Sequence, residues 1–481
     1  MLGKYTWRHL PGEDDGRVGL ADRGMRAEFK RRLLHYLILA VICSVMIWTG
    51  LSLFLGAAYE RSTRAHNIGL HVIDLDGGSI GGNVTQMVFA AKPEPTAPTW
   101  VPGPRVSSLD EAKAWVLRHG WGALVINSGA TERLERALYA GASYSPTDVM
   151  TVIISSGRHY TTEMLFVTPT LITTAQTVSR QLALELVTAF QALPPQPQRQ
   201  TNYVAVTNPI GYTIVDVAPA GFSIAPLMST FGYLHITLCL VGILIPWKLS
   251  SFAFFAKVRY RDLVAMWSVL LLCTALILSL YQALAFVAFR GPNYDKLALP
   301  YTAATFFKLW FTSAGVTMAC AQWMFSLFLV LTPSTVTLAS IITILPNVVS
   351  TVTVVELAPA FFRIFYALPF YNGANISLRV TTGAHREAAR EAGILAGEIA
   401  LMVAGLALAV WIRQACLLRG ISDAQGWYRG QPYYSSPIPD DKATAEQRPP
   451  SQSQPASTAS SIQVLDREGD NTRLTTGNMA G

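Results

Sequence analysis

Charge is scarce in this sequence. Of 481 residues only 14% are Asp, Glu, Lys or Arg, against about 25% in soluble chains. With 51% apolar residues and a mean hydropathy of +0.33, a polytopic membrane protein is the class to test. Cysteine is also sparse: Cys43, Cys239, Cys273, Cys320 and Cys416. None falls between Tyr59 and Met228, so disulfides cannot hold that region even in an oxidising compartment. Their spacing fits neither zinc nor redox chemistry, and buried small hydrophobe is the expected role. No G-x-x-x-x-G-K-[ST] loop occurs, which excludes nucleotide hydrolysis by that route. H-E-x-x-H, G-x-S-x-G and paired-cysteine patterns are absent too, and the eight histidines are dispersed. We therefore assign no catalytic residue, cofactor or metal ligand, and expect no enzyme. The net charge of +7 sits beside apolar spans without an aromatic–basic surface pattern, so nucleic acid is not an expected partner.

Long apolar runs are what the chain has. Residues 1–32 form a polar arm with a basic cluster at Arg23, Arg26, Lys30, Arg31 and Arg32, followed by an apolar span at 33–57. That span exceeds the apolar core of a secretory signal, about 7–15 residues, and reads as an uncleaved anchor. Five more spans follow, near Ser229–Trp247, Leu263–Phe289, Thr305–Leu331, Thr335–Val355 and Gly393–Ile412. Lys248, Lys257, Arg259 and Arg261 mark the Trp247–Arg261 loop as cytosolic, in register with cytosolic termini. The tail 416–481, rich in Ser, Pro, Gln and Thr, lacks the apolar content to fold. Within it, Trp427, Tyr428, Tyr433 and Tyr434 suit the membrane interface or a short binding motif.

Between the first two spans, residues 58–228 change character. LHVIDLD, GALVIN, VMTVIIS, YVAVTN and YTIVDV read as strands; SSLDEAKAWVLRHG, ATERLERALYAGA and about Thr170–Phe190 read as helices. The alternation predicts a small α/β domain. Asp74 and Asp76 beside Gly77-Gly78 read as turn residues. Asn83-Val-Thr85 and Asn375-Ile-Ser377 are glycosylation acceptor patterns if they face the lumen. The predicted fold is thus an α-helical polytopic membrane protein with six transmembrane helices and an α/β extracytoplasmic domain inserted between helices 1 and 2. A five-helix membrane portion at 229–415 contains a re-entrant or interfacial segment at 356–392.

Candidate functional residues concentrate late in the chain. Ser340, Thr343, Asn347 and Ser350 fall three or four apart and share one helical face, interrupted by Pro346. In lipid such a face must turn toward protein or a wet cavity. Gln322 lies deep in its span, with hydrogen bonding across helices as the expectation, and Glu398 is an acid in the last helix, where insertion costs about 2.5–3.5 kcal/mol. These six are candidates for a transport path or for packing. Gly393 and Gly397 are four apart, a spacing that lets helices approach closely.

The segment PAFFRIFYALPFYNGANISLRVTTGAHREAAREAGIL, with Tyr366, Pro369 and Asn372 in a Y-x-x-P-x-x-N arrangement before Gly393, resembles the fungal nitrosoguanidine resistance family. The layout of one span, a large insert and five spans is similar to type-2 ABC transporter permeases. GLHVIDLDGGSIGGNV and DVAPAGFSIAPLMSTFGYLHI match in character. The resemblance covers about 33–415 and implies a multi-pass protein of the plasma membrane or endomembranes linked to drug or mutagen tolerance. It would act by export of amphipathic compounds or altered lipid distribution. The alternative is a non-transporting scaffold whose outer domain binds a partner or lipid. Implied partners are membrane lipids, a second copy of the chain, and a separate ATPase or regulatory protein, since no ATPase is fused. Where the family often has an acid in the fourth span, this chain has Gln322. The predicted topology has a direct test: protease added to intact cells cleaves near Ala140 and spares a C-terminal epitope. Digestion of that epitope would overturn it.

Overall fold

The computed structural model describes residues 23–92, 94–191, 201–219, 228–255, 257–289, 301–331, 336–384 and 388–421, which belong to one compact unit. Most of the predicted arm and tail, with its four aromatic residues, lies outside them. So do the Pro-Pro-Gln-Pro linker, most of the 290–304 loop and the APAGFSIAPL approach to the second span from Ala220 onward.

A long helix α1 (Arg23–Ala58) enters a five-stranded sheet. The strands are β1 (Gly69–Asp74), β2 (Thr99–Pro102), β3 (Gly122–Ile126), β4 (Met150–Ile154) and β5 (Tyr212–Asp216), in spatial order β2-β1-β3-β4-β5. All neighbours are parallel except β3 and β4. Period-two alternation builds two faces. Leu70, Val72, Leu124, Ile126, Met150 and Val152 join a core on one face. Helices α2 (Ser79–Ala90), α4 (Ala130–Ala140) and α5 (Thr168–Gln191) contribute to that same core. Ile73, Ala123, Val125 and Ile153 meet α3 (Leu109–Arg118) on the other. Ser108 caps α3 by accepting from the Glu111 amide at 3.2 Å, while Glu111 accepts from Ser107, as the sequence pattern predicts.

Local chemistry explains the departures. YVAVTN is not a strand but the short helix α6 (Tyr203–Thr207). Asn202 accepts from the Val204 amide at 2.9 Å, and this cap outweighs the β preference of the two valines. Helix α2 was hidden by Gly81 and Gly82, poor helix formers, yet Ile80, Val84 and Val88 recur every fourth residue and are buried. Asp74 and Asp76 are turn residues: Asp74 accepts from the amides of Asp76 and Gly77. Asp76 accepts from the amides of Gly78, Gly81 and Thr131, which holds its carboxyl below the usual range against the opposing effect of burial. A carboxylate of the chain itself therefore occupies the start of α2.

The helical layer contains α7 (Tyr233–Phe255), α8 (Tyr260–Phe289), α9 (Ala303–Val330), α10 (Val336–Val352), α11 (Pro369–Thr382) and α12 (Ala388–Leu418). Among the described residues, five helices are long and apolar enough to cross a membrane: those containing Tyr36–Ala58, Thr230–Lys248, Tyr260–Phe289, Ala303–Val330 and Ala388–Leu418. The fifth predicted span, Thr335–Val355, corresponds to the apolar helix α10, of which the described residues include Val336–Val352. It breaks into 3-10 turns at Val355–Leu357 and Ala360–Ala367. The predicted Trp247–Arg261 loop is largely helical, since α7 continues to Phe255.

Helix α9 is the hub, packed by α7, α8, α10, α11 and α12, and 78% of its spanning window is buried against 28% or less in the others. Gly373 of α11 makes its close approach, for a Cβ there would lie 2.2 Å from Val316. Gly393 and Gly397, expected to pack helices, instead face outward on α12 with nothing within 4 Å. They lie on the opposite side from buried Leu395 and Glu398. Gly373→Val should therefore destabilise the purified protein by about 1–3 kcal/mol through overpacking, while Gly393→Ala and Gly397→Ala raise its melting temperature slightly, Ala being the better helix former.

Candidate functional site

Where the sheet layer meets the helices, a cavity of about 620 Å³ opens, within the size range of small-molecule sites. Its parts come from distant segments. The end of α3 supplies Arg118 and His119, and the turn after β4 supplies Arg158, His159 and Tyr160. Ser350 to Val354 at the end of α10, Tyr371 and Asn375 on α11, and Arg390, Glu391 and Ile394 on α12 complete it.

Two interlocks keep these segments in place. Gly157 sits where a Cβ would lie 2.6 Å from both the Ala218 carbonyl and Thr382, so the β4 turn lies directly on α11. Asp216 at the end of β5 fastens that turn, accepting from Ser156 Oγ at 2.5 Å and from the Ala218 amide at 3.0 Å. On the other side Asn67 donates to the Glu356 carbonyl at 3.0 Å, and Leu357 inserts into the sheet core.

The predicted polar residues fall into two groups. Ser340, Thr343, Asn347 and Ser350 are all buried, so the inward face of α10 is as expected. Ser350 reaches the cavity. Asn347 does something different: its Oδ1 accepts the Phe370 amide at 3.1 Å, capping α11, while its Nδ2 donates to the Thr343 carbonyl at 2.8 Å. Pro369 begins α11 and has no amide to satisfy, as suits a first helical position. Asn372 is fully buried, and its Nδ2 lies 3.1 Å from each of the Tyr366 and Leu368 carbonyls and Glu398 Oε1. Tyr366, Pro369 and Asn372 thus act together, and Glu398 joins them across the gap to α12. Gln322 stands apart. It is fully buried, and among the described residues neither atom of its side-chain amide has a hydrogen-bond partner. The expected bond across helices is not made; its neighbours one turn away are Met318 and Phe325.

Both acceptor asparagines lie in helices. Asn83 is exposed but lies within α2, and the Thr85 hydroxyl is buried. Asn375 is half-buried against the cavity, and Ser377 is buried with its hydroxyl 2.8 Å from that of Tyr233. Neither tripeptide lies on an open turn.

The residues that sequence reasoning missed carry most of the cavity's charge. Arg158 lies with its guanidinium 5.4 Å from the Trp121 ring centroid. Burial lowers its pKa, opposed by Glu163, Glu356 and Glu391. Glu163, wholly buried, begins a π turn at Glu163–Val167 that leads into α5. Burial and then nearby Asp216 push its carboxyl well above the usual range, so it favours the protonated form. His159 accepts from the Thr162 amide and is pushed down to about 4, chiefly by loss of solvent, although the Thr351 carbonyl favours its charged form. Burial, followed by Glu356, raises the Tyr371 phenol. The available signal was local: SSGRHY places a cation, an imidazole and a phenol directly after a strand of purely apolar and hydroxyl residues.

Apolar helices built around a central α9 define a membrane-embedded, multi-pass helical protein. The chain belongs to the family described as "Protein of unknown function (DUF3533)", whose model matches residues 39–404. No curated protein and no solved structure matches it.

His159 should make the fold acid-sensitive. Its proton binds more readily in the unfolded chain, near 6.5, than in the fold, near 4. Its stabilising contribution is complete above pH 6.5 and is lost as pH falls toward 4. Between pH 7.5 and pH 5 the native protein should lose on the order of 2 kcal/mol more than His159→Asn, measured by denaturant or thermal unfolding in detergent. Equal losses would show that His159 is not desolvated.

Proposed function

We propose that this protein takes up amphipathic molecules in the cavity between its sheet layer and its membrane helices. The observation that carries this reading is the composition of the cavity wall. Arg118, His119, Arg158 and His159 come from the sheet layer, Glu356 from the turn after α10, and Arg390 and Glu391 from the start of α12, while Val352, Val354, Leu378 and Ile394 supply apolar wall. Such a wall suits a molecule with a polar head and an apolar body. On this reading the sheet layer is an extracytoplasmic α/β domain, both termini are cytosolic, and the protein resides in the plasma membrane or endomembranes. It is a binding protein rather than an enzyme.

The buried face of α10 bears on the choice between scaffold and permease. Thr343 and Asn347 are engaged in hydrogen bonds within α10 and to α11. They hold helices together, which favours a binding scaffold over a through-path along that face. A permease-like role in drug or mutagen tolerance, with a separate ATPase or a second copy of the chain, remains the second reading. It is favoured by one observation: Asn372 links the cavity to buried Glu398, and acids at membrane depth commonly mark transport paths.

Ile394→Trp fills the cavity from its apolar side. Purified protein should then lose its co-purifying amphiphile, measured by native mass spectrometry. Cells relying on this variant should lose nitrosoguanidine tolerance at unchanged membrane abundance. Full retention of the amphiphile would overturn the assignment of the cavity.

A further inference from the structure

Two buried oxygens in the helical layer lack a donor. Asn372 of α11 and Glu398 of α12 share one hydrogen bond, Nδ2 to Oε1 at 3.1 Å. Their remaining oxygens, Asn372 Oδ1 and Glu398 Oε2, are buried without a hydrogen-bond partner among the described residues. We infer that this pair is a proton-binding site: Glu398 takes a proton on Oε2, and the O–H so formed donates to Asn372 Oδ1. The inference goes beyond the amphiphile reading and stands without it.

Turning the Asn372 amide over cannot relieve the need. Its nitrogen already faces three acceptors, the Tyr366 and Leu368 carbonyls and Glu398 Oε1. Asn372 is fully buried and Glu398 is 9% exposed. An acceptor left unpaired away from water is costly, and an unpaired buried charge more so. A carboxylic acid and a carboxamide, by contrast, meet through a pair of hydrogen bonds, N–H to Oε1 and O–H to Oδ1. A single proton therefore satisfies both orphan acceptors and removes the charge.

The surrounding helices bring no cation to do the same work. Among the described residues Glu398 makes no ion pair. On α12 itself, Arg390 and Glu391 stand two turns earlier in the cavity wall, and Arg413 lies four turns later. On α11, Arg379 donates to the Gly383 carbonyl and Tyr371 lines the cavity. From α9 the Cys320 thiol comes within electrostatic reach of Glu398, while Lys308 is exposed. On α7 the Tyr233 hydroxyl is engaged with Ser377 and His235 is exposed. Cys273 and Tyr281 of α8 are exposed as well. Asn372 lines the cavity, so the proton exchanges with solvent through it. Both α11 and α12 contribute to the cavity wall. Loss of the proton leaves a charge facing an unpaired acceptor, which loosens these two helices where the cavity is built.

Infrared difference spectroscopy of the full-length protein in detergent, near neutral pH, tests this directly. Glu398→Gln is the control, because a glutamine offers the same donor and acceptor pair to Asn372 without a proton to lose. It should keep the melting temperature of the native protein. The native-minus-Glu398→Gln spectrum should show the C=O stretch of a hydrogen-bonded carboxylic acid. Carboxylate stretches in its place would show an ionised Glu398 and overturn the inference. As the pH is raised, the acid band should vanish while the protein stays folded. Amide hydrogen exchange over Pro369–Thr382, corrected for its intrinsic pH dependence, should then rise about tenfold, the worth of a single hydrogen bond. Glu398→Gln should show no such rise. An acid band that persists until the protein unfolds would mean a permanently neutral side chain and overturn proton exchange at this site. An equal rise in both proteins would overturn the coupling to α11.

Discussion

The Asn372 amide, shared among two backbone carbonyls and the Glu398 carboxylate, is the interaction on which the helical layer depends. After α10 ends, the chain turns through 3-10 segments that leave carbonyls without helical partners. Away from water, each such group must find a donor. Asn372 supplies one to Tyr366 and a second donor to Leu368, whose carbonyl also takes the Asn372 backbone amide, and Asn347 meets the reciprocal need by accepting the Phe370 amide. Because Asn372 also reaches Glu398, the same side chain sets α11 against α12. A buried carboxylate is thereby put to structural use.

That arrangement places α11 between the central helix α9 and the sheet layer. On one side Gly373 admits Val316; on the other Thr382 meets Gly157 of the turn after β4. Both contacts depend on a missing Cβ, so α11 has little freedom to slide between its neighbours. The turn after β4 is held as firmly from its own side by Asp216. The cavity lies beside this junction. Its charged residues come from both layers and its aliphatic residues from the helices, so its amphipathic character is assembled where the two layers meet.

Buried ionisable groups cluster at the same junction. Glu163 favours its protonated form and His159 its neutral form, both because burial penalises charge. Arg158 stands among the carboxylates of Glu356 and Glu391, with its guanidinium near Trp121.

Much of this was legible from residue order. Apolar length located the membrane helices, since the hydrocarbon core sets a minimum that soluble helices rarely meet. Short β-rich runs located β1, β3, β4 and β5, and a Ser or Asp cap marked the start of α3. The spacing of Ser340, Thr343, Asn347 and Ser350 correctly announced an inward face, because helical geometry alone puts such residues together. Other features depended on partners far along the chain. The same amide chemistry in Asn202, Asn347 and Asn372 produces a local cap, a cap on another helix and a bridge between helices. Gly373 packs while Gly393 and Gly397 do not, though all three look alike in sequence. The cavity joins Arg158 to Glu391 across more than two hundred residues, and no local period encodes that distance. Residue order determined which faces leave water; only the tertiary packing decided what each face then touches.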